Sequence, residues 1–395
     1  MRLRDDLPGL RPGRVLLLVT AGVLLVTLFP RFGTTEDVPV LCLFCGSEGA
    51  ADFVLNVLLF LPVGFLACRF LPKPLQAAAG AVLLTVGIEA TQFLIPGRSP
   101  TVGDLVANSL GGFAGIGLAT FLTRRPDSKR RPAVVALIPS LLVALSLPIT
   151  VYLLEPETPT AVYYGQWTAE LGHLATYPGT LHGAHVGEVP LPGHRLGPEA
   201  VAAIRAMAAG APLRVDYTAA TSPSGLAPIF SVFDRQQAEL LLIGVDHDAI
   251  VVRMRRRASK LGFRAPPLTY AGFHSASGTR ATLSVRREDG DVCLYDAGST
   301  SCRRLATPGR SWSLLLGATP GMLPAGLLDA GWLAMLGFLA VAAASALHYS
   351  VDRRIRAAAF AQPFVVYVAL WLIAGGAWSF GLIGLVLGSG VAYRR

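Results

Sequence analysis

A chain of 395 residues that is 52% hydrophobic and only 15% charged, with a mean hydropathy of +0.52, is not an ordinary soluble domain, where about a quarter of residues carry charge. It reads as an integral membrane protein. The net charge of +9 then belongs to Arg and Lys in cytoplasmic loops, and no nucleic-acid partner is expected.

The basic leader "MRLRDDLPGLRPGR" precedes an apolar stretch from Val15 to Phe29. No small-x-small cleavage site follows, so an uncleaved anchor is expected rather than a signal peptide. A loop then carries Cys42 and Cys45 as CxxC. A span needs about 20 apolar residues, and Phe53–Leu71, Leu75–Ile95, Val102–Leu122 and Ala133–Leu154 qualify in turn. Pro62 should kink or thin the second of these five spans and free backbone carbonyls. Gly111, Gly112, Gly115 and Gly117 should let the fourth pack closely on a neighbour.

These spans carry polar residues that lipid penalises. Asp52 and Asn56 are four apart on the second, Glu89 and Gln92 three apart on the third, and Asp104 and Asn108 four apart on the fourth. Each pair therefore shares a helix face. Asn56 and Asn108 are the only asparagines in the chain. Arg98 sits in the connecting loop at the same level, the expected counter-charge of Glu89. An ionised carboxylate at mid-membrane costs about 3 kcal/mol on insertion scales, so such groups face partners or water. Together they predict a shared polar pocket near the outer membrane surface; the bland alternative is interhelical glue with no ligand.

From about Glu155 to Pro320 the long apolar runs stop, which predicts a water-soluble insert. "LHGAH" holds His182 and His185 three apart, but no third or fourth ligand is spaced nearby, so exposed loop histidines and no metal are expected. "PLRVDYTAAT", "APIFSVFD", "AELLLIGVD", "AIVVRMRRR", "ATLSVRR", "DVCLYD" and "SWSLLLG" then read as short strands between Gly, Ser, Pro and Asp turns, an antiparallel sandwich. Asp289-Gly290 is a favoured hairpin turn. Part of the basic run Arg253, Arg255, Arg256 and Arg257 should be a solvated face, or meet anionic lipid or an acidic polymer. Cys293 and Cys302 flank a hairpin and would form a cystine in an oxidising compartment. Cys42 with Cys45 is the second expected pair, with a redox or metal-binding role left open for it. Cys68 remains as the unpaired thiol.

Beyond the insert come the apolar segments Leu323–His348 and Pro363–Tyr393, the latter readable as one tilted helix or as a hairpin turning at Gly375–Gly376. The fold class is thus a polytopic α-helical membrane protein with an extracytoplasmic antiparallel β-sandwich. Its expected divisions are 1–154 with five spans, 155–320, and a C-terminal membrane part, 321–395. The basic leader, Arg69 with Lys73, "TRRPDSKRR" at 123–131 and "DRRIR" at 352–356 should be cytoplasmic, which puts the N-terminus inside and residues 155–320 outside.

"CLFCG" at 42–46 by its cysteines, "DFVLNVLLFLPVGF" at 52–65, "IEATQ" at 88–92 and "GRSPTVGDLVANSLGG" at 97–112 resemble the VanZ-like family of small membrane proteins, over roughly Val15 to Leu122. Carried over by position, the family's polar signature would be Asn56, Glu89, Gln92, Arg98, Asp104 and Asn108. The resemblance implies a cell-envelope compartment, a site and a link with glycopeptide-antibiotic tolerance, not a reaction. "PIFSVFDRQQAELLLIGVDHDAIVVRMRRR" is similar in strand pattern to laminin-G or concanavalin-like sandwiches, which implies glycan binding or a packing role for that domain.

Three functions compete. The first is handling of a membrane lipid or lipid-linked glycan whose head sits in the polar pocket. The second is a membrane enzyme with Glu89 or Asp104 as general base, although no HExxH, GxSxG or Walker pattern marks a reaction class. The third is an envelope assembly protein that recruits a protein partner through its sandwich. No cofactor is expected.

Overall fold

The computed structural model describes residues 12–30, 39–123, 145, 148–158, 161–168, 174–265, 267–272, 276–296, 298–305, 308–316 and 331. Most of the expected fifth span and nearly all of 321–395 lie outside the described residues, and so does any hairpin at Gly375–Gly376. Two compact units divide the chain, one built on the helices up to residue 123 and one on residues from 144 to 333.

Among the described residues the first unit holds four helices: α1 (Pro12–Leu28), α2 (Gly49–Phe70), α3 (Pro74–Gln92) and α4 (Val102–Thr123). Three of them, over Gly49–Phe70, Pro74–Gln92 and Val102–Thr120, are long and apolar enough to cross a membrane, and α1 is a shorter apolar helix. Local chemistry fixes their ends. Asp52 in the first turn of α2 and Arg69 in its last complement the helix dipole. Pro74 opens α3 at a position that needs no N–H. At the start of α4 the Thr101 hydroxyl accepts from the Asp104 amide at 3.1 Å, an N-cap, and donates to Asp104 Oδ2 at 2.9 Å.

The glycines of α4 do what their spacing suggested, with one exception. A methyl group at Gly111 would strike Val57 O, and one at Gly115 would strike Leu61 O. One at Gly64 of α2 would strike Gly112 O, and Gly112 itself faces Ala81 of α3. The backbones of α2 and α4 therefore touch directly, an approach that only small residues allow. Gly117 has open space where a side chain would go, so it takes no part in this contact. Pro62 lies inside α2, which runs unbroken through it.

The second unit is a two-sheet antiparallel sandwich with, among the described residues, eleven strands: β1 (Tyr163–Trp167), β2 (Thr180–Val186), β3 (Val189–Pro190), β4 (Leu213–Thr218), β5 (Ala227–Asp234), β6 (Glu239–Asp246), β7 (Ala249–Met254), β8 (Leu268–Ala271), β9 (Arg280–Glu288), β10 (Asp291–Asp296) and β11 (Ser299–Arg304). One sheet orders β1-β5-β6-β7-β8 and the other β11-β10-β9-β4-β2-β3. Alternate residues point inward: Leu213, Val215 and Tyr217 of β4 meet a core that also takes Ile229, Leu241 and Val252 from the opposite sheet. Tyr270 on β8 is buried and donates to Val292 O on β10 at 2.7 Å, joining the two sheets. Asp289 and Gly290 both take positive φ, 46° and 84°, in the two-residue turn from β9 to β10, as the Asp-Gly pair predicts.

One reading of the insert needs correction. "SWSLLLG" is not a strand: Pro308–Trp312 is a 3-10 helix and Ser313–Leu316 an α-helical turn, α7. A short apolar run has no periodicity that separates the two forms. Only part of the basic run is a solvated face, as expected, and its most buried member is Arg256. Arg256 is 1% exposed, Arg255 pairs with Asp234 at 3.2 Å, Arg253 with Glu239 at 3.6 Å, and Arg257 lies 4.3 Å over the Tyr152 ring. Desolvation, followed by the nearby Arg310, pushes the Arg256 guanidinium down to about 9. The sequence pattern also passed over α5 (Pro198–Ala209), which buries Ala200, Ala203, Ile204 and Met207; Arg257–Lys260 forms one further helical turn, α6.

Candidate functional site

The polar residues of the membrane helices meet at one end of the first unit. Asn56 on α2 donates from Nδ2 to Asp104 Oδ1 on α4 at 2.5 Å. Asn108, one turn further along α4 and 2% exposed, donates from Nδ2 to Thr85 Oγ1 on α3 at 2.9 Å and reaches Glu89 Oε1 at 3.5 Å. Gln92 donates to Thr27 O on α1 at 2.9 Å. These bonds link side chains or backbone of all four helices.

Arg98 stands elsewhere than the sequence suggested. Its Nε donates to Phe29 O at 2.9 Å and one terminal nitrogen to Val26 O at 2.7 Å, so it closes the C-terminal carbonyls of α1. No ion pair between Arg98 and Glu89 occurs. Asp52 lies one helical turn before Asn56 and is half-buried, as are Asn56, Arg98 and Asp104. Glu89 and Gln92 are buried. Two acceptor atoms inside the cluster, Glu89 Oε2 and Asn108 Oδ1, meet no donor among the described residues. Buried acceptors are seldom left so.

The cysteine loop braces this end. Val40 O and Cys42 O accept from the amides of Val102 and Gly103, which satisfies two of the free N–H groups at the start of α4. Phe44 packs on Phe53 of α2, with ring centroids 5.1 Å apart. Cys42 is bonded to Cys45 and Cys293 to Cys302, while Cys68 is free. Cys293 and Cys302 face each other directly across β10 and β11. His182 is exposed and bonded to Thr218 Oγ1 at 2.7 Å, and among the described residues no group of three His, Cys, Asp or Glu is placed to hold a metal ion.

Sequence reasoning missed two parts of the site. Thr85 is 0% exposed and holds Asn108, and it is one turn before Glu89, a spacing that could have revealed it. Thr101 was signalled by "TVGD", the pattern of a capping box.

Among the described residues, four apolar helices, three of them long and apolar enough to cross a membrane, gather carboxylates and amides at one end, as a membrane-associated helical module with a buried polar cluster does. Residues 18–123, which contain every member of that cluster, match the VanZ/LLP1 family, and this segment is a VanZ-like domain. The remainder of the chain, the sandwich included, lies outside the match. No curated protein and no solved structure matches the chain, and of the insert the two antiparallel sheets show a sandwich and no particular family.

Proposed function

We propose that the VanZ-like domain holds the polar head of a lipid or lipid-linked glycan in the cluster around Glu89, near the outer surface of a cell membrane. The observation that supports this most is the pair of buried acceptors, Glu89 Oε2 and Asn108 Oδ1, left without donors inside a network that otherwise satisfies itself. Glue between helices has no need of unsatisfied atoms, and Ser or Thr would supply it at lower cost. The Arg and Lys distribution supports a cytoplasmic N-terminus and an extracytoplasmic sandwich. The cystine of Cys293 and Cys302 agrees with that side of the membrane. The general link of the VanZ-like family with glycopeptide resistance fits an envelope role, with the sandwich presenting or sensing glycan or a protein partner. Lipid extraction and mass spectrometry of the purified full-length protein tests the reading. A stoichiometric lipid in the native protein that is lost in Glu89→Gln with Asn108→Leu supports it, and identical extracts from both proteins overturn it.

A further inference from the structure

The cluster is unbalanced in its hydrogen-bonding groups, and the imbalance has a direction. Asn56 Nδ2 is directed to Asp104, Asn108 Nδ2 to Thr85 and Glu89, and Gln92 Nε2 to the carbonyl of Thr27. The amide donors are thus committed to protein acceptors. The atoms left over, Glu89 Oε2 and Asn108 Oδ1, are both acceptors on residues more than nine-tenths buried. Charge tilts the same way. Glu89 brings a carboxylate to the cluster, and the guanidinium of Arg98 is directed at the carbonyls of Val26 and Phe29, at the end of α1, and not at Glu89.

A head that offers phosphate and no ammonium would add anionic acceptors to a site that already has too many. A neutral polyol would supply donors but no positive charge opposite the Glu89 carboxylate. A primary ammonium supplies three donors and a positive charge at once. We propose that the headgroup bound at Glu89 and Asn108 carries a primary ammonium, with Glu89 Oε2 and Asn108 Oδ1 as its acceptors. This assignment rests on the reading of the cluster as a headgroup site.

The full-length protein is reconstituted from vesicles of equal parts phosphatidylethanolamine and phosphatidylglycerol, and the lipids retained after purification are quantified. In parallel, N-acetylated phosphatidylethanolamine replaces the amine lipid. The expected result is enrichment of phosphatidylethanolamine over phosphatidylglycerol by at least roughly tenfold, the factor that one charge-assisted hydrogen bond supplies. N-acetylation should abolish that enrichment, as should Glu89→Gln in the unmodified mixture. Retained lipid with no preference for the amine, or a preference that survives N-acetylation, overturns the ammonium assignment and leaves the headgroup site standing. No retained lipid in any mixture overturns the headgroup site itself. Because the N-acetyl comparison uses the unaltered protein, it stands even where Glu89→Gln fails to fold.

Discussion

Asn56 Nδ2 donates to Asp104 Oδ1 at 2.5 Å, joining α2 to α4 across 48 residues of sequence. The same carboxylate accepts from the Thr101 hydroxyl that caps α4, so one side chain steadies the cap of its own helix and holds α2. Hydrogen bonds to a charged group contribute about 1.5–3 kcal/mol. Asn56→Ala should therefore lower the stability of the protein in detergent by about that amount. Asn56→Asp should cost more, since it sets two carboxylates against each other. Thermal unfolding of the three proteins checks the order. A stable Asn56→Asp protein would remove this pairing from the site.

The contact of α2 with α4 makes a sharper prediction, because one helix carries its own control. Gly115→Ala drives a methyl group into Leu61 O, whereas Gly117→Ala meets nothing. Overpacking of this kind costs about 1–3 kcal/mol. Gly115→Ala should unfold at lower temperature, and Gly117→Ala should match the parent protein. Equal stability of the two variants would mean that α2 and α4 do not approach so closely.

Much of this architecture is legible in the sequence, and the exceptions have physical causes. The i, i+3 and i, i+4 pairs Glu89/Gln92 and Asp104/Asn108 told which faces carry polar groups, because helical period alone decides that. They could not tell which polar group meets which. Arg98 went to the carbonyls at the end of α1, a backbone partner that no side-chain pattern announces. In the sandwich, β4 to β7, β9 and β10 read correctly from alternation and turn residues. α5 was overlooked although Pro198 stands at its first turn and Gly210 follows its end, the usual start and stop signals. Arg256 hid within a basic run. Arg256 lies after the end of β7 and just before α6, where no strand or helix period says which way its side chain turns.

The sandwich contains a carboxylate whose titration should be visible. Asp296 ends β10, is 8% exposed, and its Oδ1 meets no donor among the described residues. Burial raises its carboxyl above the ordinary value of 3.8. The folded chain then keeps its proton at pH values where the unfolded chain has released it. The stability tied to this group is fully present in acid and declines as pH rises from the ordinary value through the raised one. Asp296→Asn should stabilise the protein near neutral pH, with the gain fading in acid. Denaturant midpoints at about pH 4 and about pH 7 check the sign. A variant less stable than the parent at neutral pH would show that the carboxylate is favourably held.

Loss of the Cys293–Cys302 bond should be felt locally. It closes a short loop between β10 and β11, and β11 is an edge strand of the six-stranded sheet. Closing a loop of this length contributes roughly 2–3 kcal/mol in the chain-entropy account. Cys293→Ser with Cys302→Ser should destabilise the protein by that amount and expose β11 amides to hydrogen exchange before those of β4. Uniform exchange across the six-stranded sheet would contradict the local role.

The last prediction separates Glu89 from Arg98. If they formed a buried ion pair, removing either charge would cost about 3–5 kcal/mol, and removing both would recover most of the loss. The structure assigns them different partners: Asn108 for Glu89, and the carbonyls of Val26 and Phe29 for Arg98. Arg98→Gln should therefore destabilise the end of α1 by about 1.5–3 kcal/mol, the range for hydrogen bonds from a charged donor. Glu89→Gln should change stability little, because the amide keeps its shape and supplies a donor where Asn108 Oδ1 lacks one. Residues without shared partners have additive effects to within about 0.5 kcal/mol, so the double variant should show the sum. A double-mutant cycle on thermal unfolding in detergent reads this directly. Recovery of stability in the double variant by more than about 1 kcal/mol would restore the ion pair, and with it the charge balance that the ammonium assignment denies.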